Sequence, residues 1–270
     1  MKVMGILNVT PDSFTGGGQR IDINATVKHA IQMVEDGADI IDVGGESTRP
    51  GAEPVPMDEE LARVIPVIKR LKEVIDVPIS IDTYKAEVAR QAVEAGATII
   101  NDVWGTKFDP DMPRVIVETG ATVILVHNCE SGDFGSQMKG HRLIEAIGEE
   151  LDYTSEMLME LGVEHEKIIW DPGVGFGKTI EDNMEILRDL HQLRGPDHSI
   201  LIGASKKGAV RGLMENKDKD LLGIGTIAIT CMSKVRNINY VRVHDVCENV
   251  AALRVMKNLE RGEVNWRNLK

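Results

Sequence analysis

Residues 79–102 read ISIDTYKAEVARQAVEAGATIIND. Two short apolar runs, Ile79–Asp82 and Thr98–Val103, flank a stretch, Ala86–Ala95, that is predicted to be helical. A strand, a helix and a strand within so short a span form a βαβ unit, the connection that parallel strands require. The same alternation recurs on both sides of it. Further strands are predicted at Val3–Val9, Ile40–Gly44, Thr122–His127, Lys167–Asp171, Ile200–Ala204 and Tyr240–His244. Further helices are predicted at Ala25–Asp36, Asp58–Ile75, Met112–Thr119, Leu143–Leu161, Ile180–Leu193, Lys219–Val235 and Val246–Arg261. In Asp58–Ile75 the residues Leu61, Val64, Ile65, Ile68, Leu71 and Ile75 recur at steps of three and four, which builds one apolar face. The runs VILV, KIIW and ILIG are apolar on both faces, as buried parallel strands are. With no linker or shift in composition, residues 1–270 are predicted to form a single α/β domain, a closed (β/α)8 TIM barrel. A doubly wound open sheet is the runner-up.

The 31 Lys+Arg against 43 Asp+Glu leave a net charge of −12, which disfavours nucleic acid as a partner. Small anions stay within reach, because backbone amides and a few placed cations bind phosphate in an acidic protein. Cys129, Cys231 and Cys247 form no metal or redox spacing and are expected to be buried free thiols in a reducing cytosol. Asn8, Pro11 and Asp12 break the first apolar run too early for a signal peptide. The longest uncharged stretch, residues 221–233, is 13 residues, against about 18 to 20 for a membrane span. A cytoplasmic protein without a membrane contact is expected.

Barrel chemistry sits at the C-terminal ends of the strands. Those ends carry Asn8, Asp42, Asp82, Asn101, His127 with Asn128, Asp171, Ser205 with Lys206 and Lys207, and Arg242 with His244. Any one of them is equally well read as a cap for the next helix; eight of eight is harder to explain so. Asp82, Asn101 and Asp171 suit a flat heterocycle with amino and N–H edges. Asn8, Arg49, Lys207, Arg242 and His244, with the glycine-rich turns, suit a phosphate-bearing group.

At these residues the chain resembles the dihydropteroate synthase family. The segments are 5–14 (GILNVTPDSF), 42–51 (DVGGESTRPG), 80–83 (SIDT), 101–103 (NDV), 171–178 (DPGVGFGK), 203–207 (GASKK) and 242–245 (RVHD). The resemblance implies a single barrel, a homodimer, and a step of folate synthesis. In that step 6-hydroxymethyl-7,8-dihydropterin pyrophosphate and p-aminobenzoate give 7,8-dihydropteroate and pyrophosphate. It assigns Asp82, Asn101, Asp171 and Lys207 to the pterin ring, with Asp82, Asp171 and Lys207 as the catalytic set. Asn8, Arg49, Arg242 and His244 go to the pyrophosphate, Asn8 also to Mg²⁺. Thr48, Pro50 and Ser205 go to the p-aminobenzoate pocket, where sulfonamides bind in the family. The reaction it implies is a dissociative, SN1-like transfer with no covalent enzyme nucleophile.

Two departures stand out. Gly16 occupies the place of a loop Asp usual in the family, and Lys206 that of an Arg. Residues 173–179 look like a P-loop, but Pro172 stands where Walker A needs glycine. The bland reading is a strand-to-helix turn with Lys178 facing solvent. Among the seven histidines, His29, His141, His165, His191 and His198 are expected at the surface, and no spacing suits a transition metal. Asp58-Glu59-Glu60 is read as acid at a helix N-terminus. Two alternatives compete with the synthase: a folate-dependent methyltransferase, which has no use for Arg49, Arg242 and His244, and a pterin-binding protein with little catalysis, suggested by Gly16.

Overall fold

The computed structural model of the chain describes residues 1–10, 22–47, 53–129, 143–193, 197–215 and 218–261. Strands β1 (Lys2–Asn8), β2 (Ile40–Gly44), β3 (Ile79–Asp82), β4 (Ile99–Asp102), β5 (Thr122–Val126), β6 (Ile168–Asp171), β7 (Ser199–Ile202) and β8 (Tyr240–Val243) run in sequence order. They close into one parallel barrel, β8 pairing back onto β1. Between and after them come α1 (Ile23–Asp36), α2 (Met57–Val74), α3 (Ala86–Ala95), α4 (Met112–Thr119), α5 (Leu143–Glu160), α6 (Ile180–Asp189), α7 (Gly208–Leu213), α8 (Leu222–Val235) and α9 (Val246–Arg261). The closed barrel is the predicted architecture, and the open sheet is excluded. The added helix is α7, whose six residues are too short for a periodicity to register.

Alternation along each strand divides the core in two. One set, including Val3, Ile41, Val43, Ile81, Ile100, Val123, Leu125, Trp170 and Val241, faces the helices. The other, including Met4, Ile40, Ile99, Ile124, Ile169 and Leu201, fills the barrel. Every second residue of a strand shares a face. The interior face of β2 therefore runs from Ile40 to Asp42, that of β4 from Ile99 to Asn101, and that of β6 from Ile169 to Asp171. The barrel is apolar at its floor and polar at the C-terminal ends of its strands.

Candidate active site at the barrel mouth

Parallel register sets several polar residues at one level. Asn8 pairs with Gly44, Gly44 with Asp82, and Asp82 with Asn101, so three polar side chains and one gap line the mouth on four of its eight strands. Arg242 reaches in from β8. Its Nε donates to Asp42 Oδ2 at 2.6 Å and Nη2 to Asp82 Oδ2 at 2.5 Å, while Asn101 Nδ2 donates to Asp42 Oδ2 at 3.2 Å. Asp42 is fully buried and Asp82 nearly so. Asp42 Oδ1, Asn101 Oδ1 and Ser80 Oγ are buried without a hydrogen-bond partner among the described residues. Unpaired buried acceptors are costly. A ligand carrying several N–H groups recovers that cost when it enters.

Burial pushes Asp82 up to about 7, against the pull of the Arg242 charge and with the push of Asp42. Burial likewise raises Asp171, which Lys207 and the backbone N–H of Gly173 oppose. Burial presses Lys207 down to about 7, with Asp171 pulling the other way. Arg242 is held charged by the two carboxylates that it bridges. A flat donor-rich ring is thus met by two acids raised by burial and one amine lowered by it, of which Asp82 and Lys207 can exchange a proton near neutrality.

The wall beside this floor comes from the turn after β6 and from the segment after β7. Lys207 Nζ donates to Val174 O at 2.8 Å and lies 3.9 Å from the centre of the Phe176 ring. Ser205 Oγ lies 3.0 Å from His244 Nδ1 and accepts the His244 backbone N–H at 3.1 Å. Lys206 pairs with Asp245 at 2.6 Å. Together these surround a cavity of about 660 Å³, large enough for a drug-sized ligand.

Of the predicted site residues, Asn8, Asp82, Ser205, Lys207, Arg242 and His244 stand on the cavity wall. Asn101 and Asp171 are buried below it. Arg242, predicted for the pyrophosphate, is engaged by Asp42 and Asp82 on the heterocycle side. Ser205, predicted for p-aminobenzoate, touches His244, predicted for pyrophosphate. Thr48, Arg49 and Pro50 lie outside the described residues, as do Asp12 and Gly16.

Three expectations need correction. Lys178 does not face solvent: its Nζ turns inward onto the carbonyls of His127, Gly173 and Phe176. His198 is buried, stacked 4.0 Å from His165 and 4.8 Å from Trp170. Cys129 is buried but Cys247 is exposed. Asp58, Glu59 and Glu60 stand in the first turn of α2, as expected, and Glu60 is in addition buried and paired with Lys85 Nζ at 2.5 Å. The same Lys85, with Tyr84, also holds Glu46 on the cavity wall, just before the segment 48–52. Nothing in the spacing of Glu46, Glu60 and Lys85 announces that network, because only the β2–β3 packing brings them together. His127, predicted at a strand end, follows the inward Val126 and sits outside the barrel wall, 3.7 Å from Cys129 Sγ.

The profile described as "Pterin binding enzyme" matches residues 4–244. A dihydropteroate synthase of Clostridium beijerinckii is 46% identical over 254 residues, covering 94% of this chain and 92% of the relative. Among solved structures, the dihydropteroate synthase of Clostridium difficile, described in the presence of pteroic acid, superposes with a TM-score of 0.89 at 46% identity, covering 96% of this chain and 97% of that one. The enzyme of Xanthomonas albilineans with 4-aminobenzoic acid gives 0.88 at 37% identity, covering 96% and 93%.

Proposed function

The chain belongs to the pterin-binding enzyme family, and from that membership and the barrel-mouth geometry we infer the reaction. It acts as a dihydropteroate synthase, joining 6-hydroxymethyl-7,8-dihydropterin pyrophosphate to p-aminobenzoate with release of pyrophosphate. The observation that carries the chemistry is the buried donor-hungry floor of Asp42, Asp82 and Asn101 bridged by Arg242.

In this reading the pterin ring lies on that floor. Its N–H groups pair with Asp82, Asn101 and Asp171, and Lys207 donates to the ring carbonyl. The C–O bond between methylene and pyrophosphate breaks, and the electron pair leaves with the pyrophosphate. Asp82 and Asp171 stabilise the positive charge left on the conjugated ring. The amine of p-aminobenzoate, whose pocket the resemblance assigns to Thr48, Pro50 and Ser205, attacks the methylene and then loses its proton to water. Holding both partners in line carries the rate, since no strong base or covalent enzyme nucleophile is required. The leaving group falls to His244 and, by the resemblance, to Arg49, and the remaining N–H donors of Arg242 can join them.

Mg²⁺ suits the donor set at Asn8. Its amide makes no hydrogen bond among the described residues and stands on the cavity wall, and Mg²⁺ takes one or two protein oxygens alongside phosphate oxygens and water. When bound, the ion would neutralise charge developing on the pyrophosphate.

A homodimer through α8 and α9 fits the surface. Ile224 and Val235 on α8 are 63% and 69% exposed, and Val255 and Leu259 on α9 are 59% and 75% exposed. Exposed apolar groups on two packed helices favour association. Light scattering on the eluting protein would return a dimer mass, and a monomer mass at micromolar concentration removes this reading. A cytoplasmic location accords with the absence, among the described residues, of any helix long and apolar enough to cross a membrane. Sulfonamides would compete at the p-aminobenzoate subsite.

The deciding assay combines the protein, the dihydropterin pyrophosphate, labelled p-aminobenzoate and Mg²⁺. Labelled dihydropteroate is expected. Binding of the pterin substrate without product would leave a pterin-binding protein instead.

A further inference from the structure

Lys178 has no part in the reaction as derived above. Its Nζ donates to the carbonyl oxygens of His127 at 3.0 Å, Gly173 at 2.9 Å and Phe176 at 3.2 Å. An ammonium has three N–H donors, and each finds an acceptor. Among the described residues no carboxylate lies within ion-pair distance of it. Carbonyl dipoles aimed at one point repel each other unless a cation stands there, and here the chain supplies its own.

What this cation joins is specific. The His127 carbonyl ends β5, whereas Gly173 and Phe176 belong to the turn after β6. Gly173 has φ +68° and lies so close to β5 that a Cβ would stand 1.8 Å from His127 O. The same turn holds two of the four groups assigned to the ring, Asp171 and Lys207. The Gly173 N–H donates to Asp171 Oδ1 at 2.8 Å, and Val174 O and the Phe176 ring receive the Lys207 ammonium.

We propose that Lys178 is a positioning residue for the transfer: its ammonium clamps the β6 turn to the end of β5 and thereby sets Asp171 and Lys207 against the pterin ring. The proposal rests on the synthase reading for its substrate but not for its geometry. Charge acts in the same direction as the clamp. The groups facing Lys207 are Asp171, Arg242, Lys178 and Asp82, and the Lys178 charge contributes to the lowered pKa of Lys207. Those facing Lys178 are Cys129, Asp171, Lys107 and Glu150. Burial brings Lys178 down to about 8, so it stays mostly protonated at neutral pH.

Two variants, Lys178→Met and Lys178→Arg, test this by two readouts. One is the titration of Lys207, followed as its pH-dependent acetylation by trace acetic anhydride and read by peptide mass; the other is dihydropteroate formation. Lys178→Met removes the charge, so the Lys207 pKa should rise by about half a unit or more. Its turnover should fall about tenfold or more as the turn shifts. Lys178→Arg keeps the charge on a planar fork that cannot aim three donors at one point. It should leave the Lys207 titration in place while turnover still falls. A folded Lys178→Met protein with an unmoved Lys207 titration, or Lys178→Arg with full turnover, overturns the proposal. Should Lys178→Met fail to fold, Lys178→Arg decides. If the unaltered protein makes no dihydropteroate, the synthase reading falls by itself, and the Lys207 titration still judges the clamp.

Discussion

Arg242 ties Asp42 to Asp82 across two neighbouring strands, donating from Nε to one carboxylate and from Nη2 to the other. Both acids are buried, so the guanidinium is what allows them to lie side by side. Arg242→Met should destabilise the fold by about 3 to 5 kcal/mol near neutral pH, since it strands two buried carboxylates. With the cation gone, the burial that raises Asp82 acts without the opposing guanidinium, so its folded pKa stays above its unfolded one. The Asp82 penalty is largest above that folded value and shrinks as the pH falls toward the unfolded range. Denaturant unfolding at pH 7.5 and pH 5 should therefore show a smaller deficit at pH 5. An equal deficit at both would mean that the acids are not coupled to Arg242.

Lys207 and Asp82, both brought to about 7 by burial, give the reaction a pH signature. In the proposed roles Lys207 donates as an ammonium and Asp82 accepts as a carboxylate. The dependence of kcat/KM on pH should then be a bell centred near 7, falling on the acid side as Asp82 protonates and on the alkaline side as Lys207 loses its proton. Lys207→Ala and Asp82→Ala should each cost about 100-fold or more in turnover. A rate that stays flat from pH 6 to 8, or either variant within about threefold, would remove these residues from the chemistry.

The barrel could be read from the sequence because its cause is local. Ile79–Asp82 and Ala86–Ala95 have the predicted bounds, since an apolar run stopped by Asp and a helix stopped by Gly96 need no distant partner. The polar rim could be read for the same reason: alternation puts Asp42, Asn101 and Asp171 above apolar interior neighbours. What escaped were contacts between elements. The inward turn of Lys178 depends on three carbonyls that the turn of residues 173–177 and the end of β5 bring to one point, and carbonyls leave no mark in a residue pattern. The pairing of Lys85 with Glu60 is of the same kind, joining α2 to the end of β3.

His127 bears on acid stability. It is buried among Lys178 and Lys107 and pressed down to about 2, so it stays neutral in the folded chain while its unfolded counterpart titrates near 6.5. The unfolded state therefore binds an extra proton below about pH 6.5, and the fold loses stability as the pH falls through that point. By pH 5 the loss reaches about 2 kcal/mol. Asp82, whose folded value is raised, contributes with the opposite slope, so the comparison must be between variants. His127→Asn should lose less stability than the unaltered chain on going from pH 7 to pH 5. Parallel loss in both proteins would show that His127 is protonated within the fold.

Gly16 decides between an impaired and a complete site. The resemblance places an Asp there, near the pterin cation, and a carboxylate close to developing positive charge lowers the barrier. Glycine also leaves its loop a larger ordering cost than a residue with a side chain. Gly16→Asp should raise turnover if that charge is missing, by about tenfold for one added electrostatic contact. Single-turnover product formation, measured with saturating substrates, isolates the chemical step from release. No gain in that step would mean that another carboxylate, Asp12 in the same segment being the nearest in sequence, already supplies the charge. The argument for a weak, mainly pterin-binding protein would then lose its only support in the sequence.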